Sequence, residues 1–139
     1  MFDVGFSELL IIAVVDAAQT QAVLFGPQGA AAALPPGAAV LLCPTIGPAD
    51  VEGLAARLAQ TGLGCLDAPM SGGPARAADG SMSLMVACDD ATFARWQPVL
   101  AHLASRLFRV GTRPGDGART KLVNNLLAAI NLAGAAEAL

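Results

Sequence analysis

The apolar positions of this chain fall into short runs that alternate with segments of helical period. Leu9 to Val15 is a continuous apolar run rich in β-branched residues. It is too short for a helix and reads as a parallel strand covered on both faces. Ala17 to Phe25 follows as a short helix stopped by Gly26-Pro27, and the turn Pro35-Pro36-Gly37 leads into a second buried strand, Ala39 to Cys43. Pro48 to Gln60 predicts a helix, with proline in its first turn, Asp50 and Glu52 early, Arg57 late and Gly62 beyond its end. Gly64 to Asp67 reads as a short third strand and Ser83 to Cys88 as a fourth. Asp89-Asp90 then opens an amphipathic helix to Leu103, with Phe93, Trp96, Val99, Leu100 and Leu103 on one stripe. A fifth strand spans Leu107 to Val110. Beyond Pro114-Gly-Asp-Gly117 a segment of strong helix formers runs on to the last residue without a stop signal.

Strands alternating with helices predict an α/β domain with a mostly parallel sheet. Such domains bind ligands at the carboxyl ends of their strands, where the stretches after Val15, Cys43 and Asp67 fall. The third of these, Asp67-Ala-Pro-Met-Ser-Gly-Gly-Pro-Ala-Arg-Ala-Ala-Asp-Gly80, reads as a polar loop. Two glycines after Ser71 let the backbone approach a ligand and aim N–H groups at an anion such as a carboxylate. The same residues also suit a plain strand-to-strand turn.

Composition changes the picture mainly by exclusion. The 139 residues suit one domain, and much of the 55% hydrophobic content is alanine, with no run of the roughly 18 apolar residues that cross a bilayer. Net charge is −3 and the basic residues are not interleaved with aromatics, which argues against nucleic acid. The opening Met-Phe-Asp-Val-Gly-Phe-Ser-Glu places no basic segment ahead of an apolar one, so no secretory signal and a cytoplasmic location are expected. Cys43, Cys65 and Cys88 are isolated within or beside apolar runs. With one histidine and no Cys-x-x-Cys pair, they read as buried thiols and no metal site is expected.

Lys121 is the only lysine, placed within the first turn and a half of the last helix. The helix dipole opposes a cation there, and partial burial would lower its pKa toward general acid/base work. Asn125, one turn later, shares its face. A solvated lysine beside a surface amide is the plainer reading. Two other motifs fail on inspection. Gly115-Asp-Gly117-Ala-Arg-Thr120 imitates a dinucleotide fingerprint, but Thr120 replaces the third glycine and no strand follows. Ser71, His102 and Asp67 are the residue types of a hydrolase triad, yet Pro69 stands where a nucleophile elbow needs glycine.

From Leu9 onward the chain resembles the β-hydroxyacid dehydrogenases, the family of 3-hydroxyisobutyrate dehydrogenase and tartronate semialdehyde reductase. Asp67-Ala-Pro-Met-Ser-Gly-Gly with Ala77 and Gly80 is similar to the family's substrate-binding signature, and Lys121-Leu-Val-Asn-Asn125 to its catalytic Lys-x-x-x-Asn. Val14-Val-Asp-Ala-Ala-Gln-Thr-Gln-Ala-Val-Leu-Phe-Gly26 is most similar to the L-threonate dehydrogenase branch. The resemblance implies a partial Rossmann-like domain, NAD or NADP as cofactor, and a small hydroxy acid as substrate. It implies Lys121 as general acid/base and Asn125 as its substrate-holding partner. Ser71, Gly72 and Gly73 would be substrate ligands, and Val14, Val15, Gln19 and Thr45 would line the cofactor.

The departures matter too. In the family a glycine-rich unit precedes the equivalent of these residues and a large all-helical domain follows. Residues 1–113 are therefore expected to be the later part of an NAD(P)-binding domain, and residues 114–139 the start of an interdomain helix. Without the phosphate cradle, turnover by these residues alone is not expected. The terminal helix would leave an apolar face bare and favour a homo-oligomer. A non-catalytic small-ligand or dimerisation module is the alternative. Asp16 stands where the family usually has asparagine, Met70 where valine is common, and Cys43-Pro44 where two serines often precede the threonine. Of these, Asp16 places a negative charge near the expected cofactor path.

Overall fold

The computed structural model describes residues 6–139. The first five residues, on which part of the signal-sequence reading rests, lie outside the described residues. The elements run in the order β1 (Leu9–Ile12), α1 (Ala17–Phe25), a 3-10 turn (Ala30–Ala33), β2 (Ala39–Leu42), α2 (Pro48–Gln60), β3 (Gly64–Asp67), β4 (Met70–Ser71), α3 (Gly73–Ala78), β5 (Ser83–Ala87), α4 (Asp90–Leu103), β6 (Arg106–Gly111) and α5 (Asp116–Glu137). β1, β2 and β3 pair in parallel, with Ile12, Leu42 and Asp67 in register at their carboxyl ends. β5 runs antiparallel to β3 through Asp67 and Ala87, and antiparallel to β4 through Met70 and Leu84. Its other side carries β6 in parallel, with an irregularity between Val86 and Ala87.

The strands are apolar because both faces of the sheet are covered. Along β2 the side chains alternate: Val40 and Leu42 pack with Leu24 of α1, with Val51, Leu54 and Leu58 of α2 and with Ala118 of α5. Ala39 and Leu41 face the opposite layer with Leu66, Leu84, Val86 and, from α4, Trp96 and Leu100.

Local chemistry sets the helix ends. Asp16 caps α1 by accepting the Gln19 N–H at 2.8 Å, and the Gln19 side chain reaches back past the cap to accept the Val15 N–H at 3.1 Å. α2 closes on Gly62 at φ +73°, where the Gly62 N–H reaches the Ala59 carbonyl and the Leu63 N–H the Leu58 carbonyl, a Schellman end that buries Leu63 against the core. Asp89 caps α4 through the Thr92 N–H and hydroxyl.

Three sequence expectations change. The apolar run to Val15 is only half strand. β1 stops at Ile12, the last residue with a β2 partner, and Val15 is 78% exposed. The stretch from Asp67 to Gly80 is more than a loop, since it contains β4 and the six-residue helix α3. Val99 lies off the buried stripe of α4 and is exposed, whereas Trp96 and Leu100 are buried. α5 meets the body of the domain through its first turn, where Gly117 and Ala118 are buried. Beyond Lys121 its apolar side chains stand in solvent, from Leu122 at 44% to Leu132 at 74% exposed. No helix among the described residues is long and apolar enough to cross a membrane.

Candidate active site

The site is built where β3 leaves the sheet. Asp67 ends the strand, Ala68 and Pro69 turn the chain, and Met70 and Ser71 pair back onto β5 opposite Leu84 and Ser83. Two successive left-handed glycines follow, Gly72 at φ +138° and Gly73 at φ +69°, and they start α3. A Cβ at Gly72 would lie 2.8 Å from Cβ of Arg76, so glycine is required there for space as well as for backbone conformation. The return to β5 is held by the Asp79 side chain, which accepts the Ser81 N–H at 2.8 Å, and by the Met82 N–H donating to the Arg76 carbonyl at 3.1 Å.

α5 brings the lysine to this turn. A pocket of about 360 Å³ is lined by Met70, Ser71, Gly72, Gly73, Pro74, Ala77, Met82 and Lys121. The lysine is half-buried, and desolvation there lowers its pKa from the usual lysine value. No acid among the described residues lies within ion-pair distance of its ammonium to offset that effect. The arrangement therefore offers a hydroxyl, a glycine turn open to close approach and an amine whose pKa is lowered by burial, on an otherwise apolar wall.

The helix carrying Lys121 is fixed from below. Asp67 is 1% exposed, and its Oδ2 accepts the Gly115 N–H at 2.8 Å and the Ala118 N–H at 3.0 Å. Burial pushes this carboxyl above the ordinary aspartate range, against the pull of the N–H groups of Ala118, Gly115 and Gly117, and the nearby Asp116 adds to the rise. Gly117 packs so closely that a Cβ would meet the Met85 carbonyl oxygen at 2.7 Å and Asp67 Cγ at 2.8 Å. On the outer side Arg119 pairs with Glu52 of α2 and with Asp116.

Among the sequence-derived site residues, Ser71, Gly72, Gly73 and Lys121 come together. Asn125 is exposed one turn further along α5 and does not line the pocket. Thr45 is exposed beyond the end of β2, Val14 half-buried and Val15 and Gln19 exposed beyond the end of β1. All four lie at the carboxyl edge of the sheet but outside the pocket itself. Sequence reasoning treated Asp67 as the opening of a loop and missed that it anchors α5. An acid ending an apolar strand was the available signal. It also missed Met82, which closes the pocket from the residue just before β5. The triad reading has no support, since Asp67 is committed to α5 and His102 Nδ1 lies 2.7 Å from the Pro98 carbonyl oxygen on α4.

A cavity of about 410 Å³ lies at the opposite end of the domain, between the C-terminal ends of α1 and α2. Its only charged lining residue, Arg57, stacks 3.8 Å from the Phe25 ring centroid. No group of metal-ligating side chains occurs among the described residues. The thiols of Cys43 and Cys88 are buried, which raises them to about 12 and about 11, and Cys65 is half-buried.

Comparison with known proteins places this geometry in context. Residues 4–111 match the model of the NAD binding domain of 6-phosphogluconate dehydrogenase. An L-threonate dehydrogenase from Cupriavidus necator is 45% identical over 132 residues, covering 95% of this chain and 44% of that protein. The crystal structure of a 3-hydroxyisobutyrate dehydrogenase from Salmonella typhimurium superposes with a TM-score of 0.87 at 43% identity, over 96% of this chain and 46% of that one. Psf3, solved in complex with NADP+ and 2-OPP, superposes at 0.85 with 32% identity, over 94% and 46% respectively. The chain thus spans about half the length of the relatives it matches.

Proposed function

The chain belongs to the family of the NAD binding domain of 6-phosphogluconate dehydrogenase, and from that premise we propose that it serves the NAD(P)-dependent oxidation of a small hydroxy acid of the L-threonate or 3-hydroxyisobutyrate type. The observation that carries the proposal is the single pocket in which Ser71, Gly72 and Gly73 meet Lys121. Relatives named for these two substrates support the substrate class.

In this reading the substrate carboxylate lies against the Ser71 hydroxyl and the Gly72–Gly73 backbone, where a left-handed turn without Cβ atoms lets it approach. Lys121 takes the proton of the substrate hydroxyl at its Nζ. Desolvation keeps more of the amine neutral than in water, which a proton acceptor requires. Asn125, one turn further along α5 and outside the pocket, would hold only the part of a substrate that extends beyond it. The nicotinamide, when bound, supplies the hydride acceptor. The residues at the carboxyl edge fit its ribose end: Val15 leaves an apolar side chain 78% exposed and Thr45 an exposed hydroxyl, with Val14 and Gln19 beside them. Gly115 and Gly117 are committed to packing on Asp67 and are not free to cradle a pyrophosphate.

Residues 1–113 act as the later part of the dinucleotide domain and residues 114–139 as a connecting helix. The 139 residues bind dinucleotide weakly and do not turn over by themselves, and they work in the cytoplasm. A titration that gave micromolar NAD affinity for this chain would overturn the weak-binding part of the proposal. The substrate part is tested by titrating L-threonate and 3-hydroxyisobutyrate into 15N-labelled protein. Shifts confined to Ser71, Gly72, Gly73 and the Lys121 turn are expected, and shifts elsewhere would overturn it.

A second reading, a binding or dimerisation module, is favoured by one observation: α5 exposes Leu122, Val123, Leu126, Leu127, Ile130 and Leu132 and carries no charge between Lys121 and Glu137. Nothing electrostatic opposes a second copy on that face, and homo-oligomers are expected by light scattering. A monomer at high concentration would contradict this.

A further inference from the structure

We propose that Asp67 is the positioning residue for Lys121, clamping the helix that carries the lysine to the same strand end from which the Ser71–Gly73 turn departs. The inference rests on the reading of Lys121 as the acid/base group, but its evidence is separate. α5 has no side-chain cap from its own segment, since its N-cap position is Gly115 at φ +101°. The acceptor comes instead from a strand 48 residues earlier, where one oxygen of Asp67 takes both the Gly115 and the Ala118 N–H. A buried carboxylate at a helix N-terminus satisfies otherwise orphaned donors and complements the helix dipole.

The clamp is short in both directions. Ala118 is one helical turn before Lys121 and on its side of α5. Ser71 is four residues after Asp67, and the link between them is held to β5 by the Met85 N–H donating to the Pro69 carbonyl at 3.1 Å. Asp67 itself is in register with Leu42 and Ala87 inside the sheet. Gly117 lets the helix sit this low, because any side chain there would strike the Asp67 and Met85 backbone oxygens. Asp67 therefore ties the helix of Lys121 and the turn of Ser71 to one strand end.

The single lysine makes the test direct. Reductive methylation with 13C-formaldehyde labels Lys121 and the chain amino group, whose signals are distinct, and the lysine signal is titrated with pH by NMR. In the wild type its midpoint lies below the ordinary lysine value. Asp67→Asn should move the midpoint upward as the first turn of α5 loosens and the amine gains solvent. Arg119→Ala, which breaks the outer tie to Glu52, should leave the midpoint in place. An Asp67→Asn protein that melts earlier with its Lys121 midpoint unchanged, or an equal shift in Arg119→Ala, would overturn the proposal. If Asp67→Asn does not fold, acid titration of the wild type replaces it. The Gly115 and Ala118 amide signals and the Lys121 methyl signal should then move with a common midpoint, and a Lys121 signal indifferent to that step would overturn the proposal. None of these readouts requires substrate, so they can fail while hydroxy-acid binding at Ser71 stands, or hold while it fails.

Discussion

Replacing Gly117 with alanine tests the packing that seats the lysine helix. The added Cβ would have 2.7 Å to the Met85 carbonyl oxygen where ordinary contact begins at 3.4 Å, so α5 must retreat by roughly 0.7 Å or the sheet edge must yield. Of the three atoms it would meet, the Met85 and Asp67 carbonyl oxygens are backbone and cannot rotate away, and the third is the Cγ of Asp67, whose carboxylate is held by α5 itself. Such overpacking costs about 1–3 kcal/mol. The same retreat stretches the Gly115 and Ala118 bonds to Asp67, charge-assisted contacts worth about 1.5–3 kcal/mol each when fully made. Alanine's better helix propensity returns only about 1 kcal/mol. A net loss of about 2–4 kcal/mol follows, which for a chain of this length lowers Tm by about 7–14 °C. Gly53, in the middle of α2 with nothing within 4 Å of its absent Cβ, supplies the control: Gly53→Ala should stabilise by about 0.5–1 kcal/mol. Thermal melts by circular dichroism measure both variants, and hydrogen exchange at the Ala118 amide reports whether α5 alone has lifted. A Gly117→Ala protein as stable as Gly53→Ala, with Ala118 still protected, would refute the reasoning.

Two further outcomes follow from the titratable groups. Burial lowers the Lys121 pKa, so the folded state binds the proton less tightly than the unfolded chain. Its charged form costs stability below the folded pKa, and the cost fades as pH rises toward the ordinary value of 10.5. Lys121→Met should therefore be more stable than wild type near neutral pH, with the difference shrinking on the alkaline side. Denaturant melts across that range measure it, and a constant difference would contradict the assignment. Cys43 and Cys88, buried and raised to about 12 and about 11, should react with a chromogenic disulfide at pH 8 only at the rate of unfolding. Fast reaction of either in the native protein, followed by peptide mapping, would show that the interior opens locally.

The parts of the fold legible in the sequence were those with local punctuation. α1 and α2 fall on their expected bounds, Ala17–Phe25 and Pro48–Gln60, because Gly26-Pro27, Pro48 and Gly62 enforce those ends through the chain's own geometry. The misreadings of the strands depend on distant partners. Apolarity carried the first strand to Val15, but the strand ends where β2 ceases to pair, and the Val15 N–H turns to Gln19. β4 is two residues long and exists only because β5 lies beside it. The Ser71–Gly73 turn and the lysine were legible as residue types in order. Their meeting was not, since it depends on a carboxylate joining residues 48 and 51 positions apart. Helical spacing correctly put Asn125 on the side of Lys121, but the pocket ends before the helix reaches it.

The central claim is that Ser71, Gly72 and Gly73 together with Lys121 form a hydroxy-acid site, and the amide NMR titration with L-threonate tests it most directly. The account predicts saturable shifts at Ser71, Gly72 and Gly73 that move in step with the 13C-methyl signal of Lys121, and loss of the response at all four positions in Ser71→Ala. Shifts centred instead on the cavity of Phe25 and Arg57, or a Lys121 signal that stays fixed while the turn responds, would contradict it.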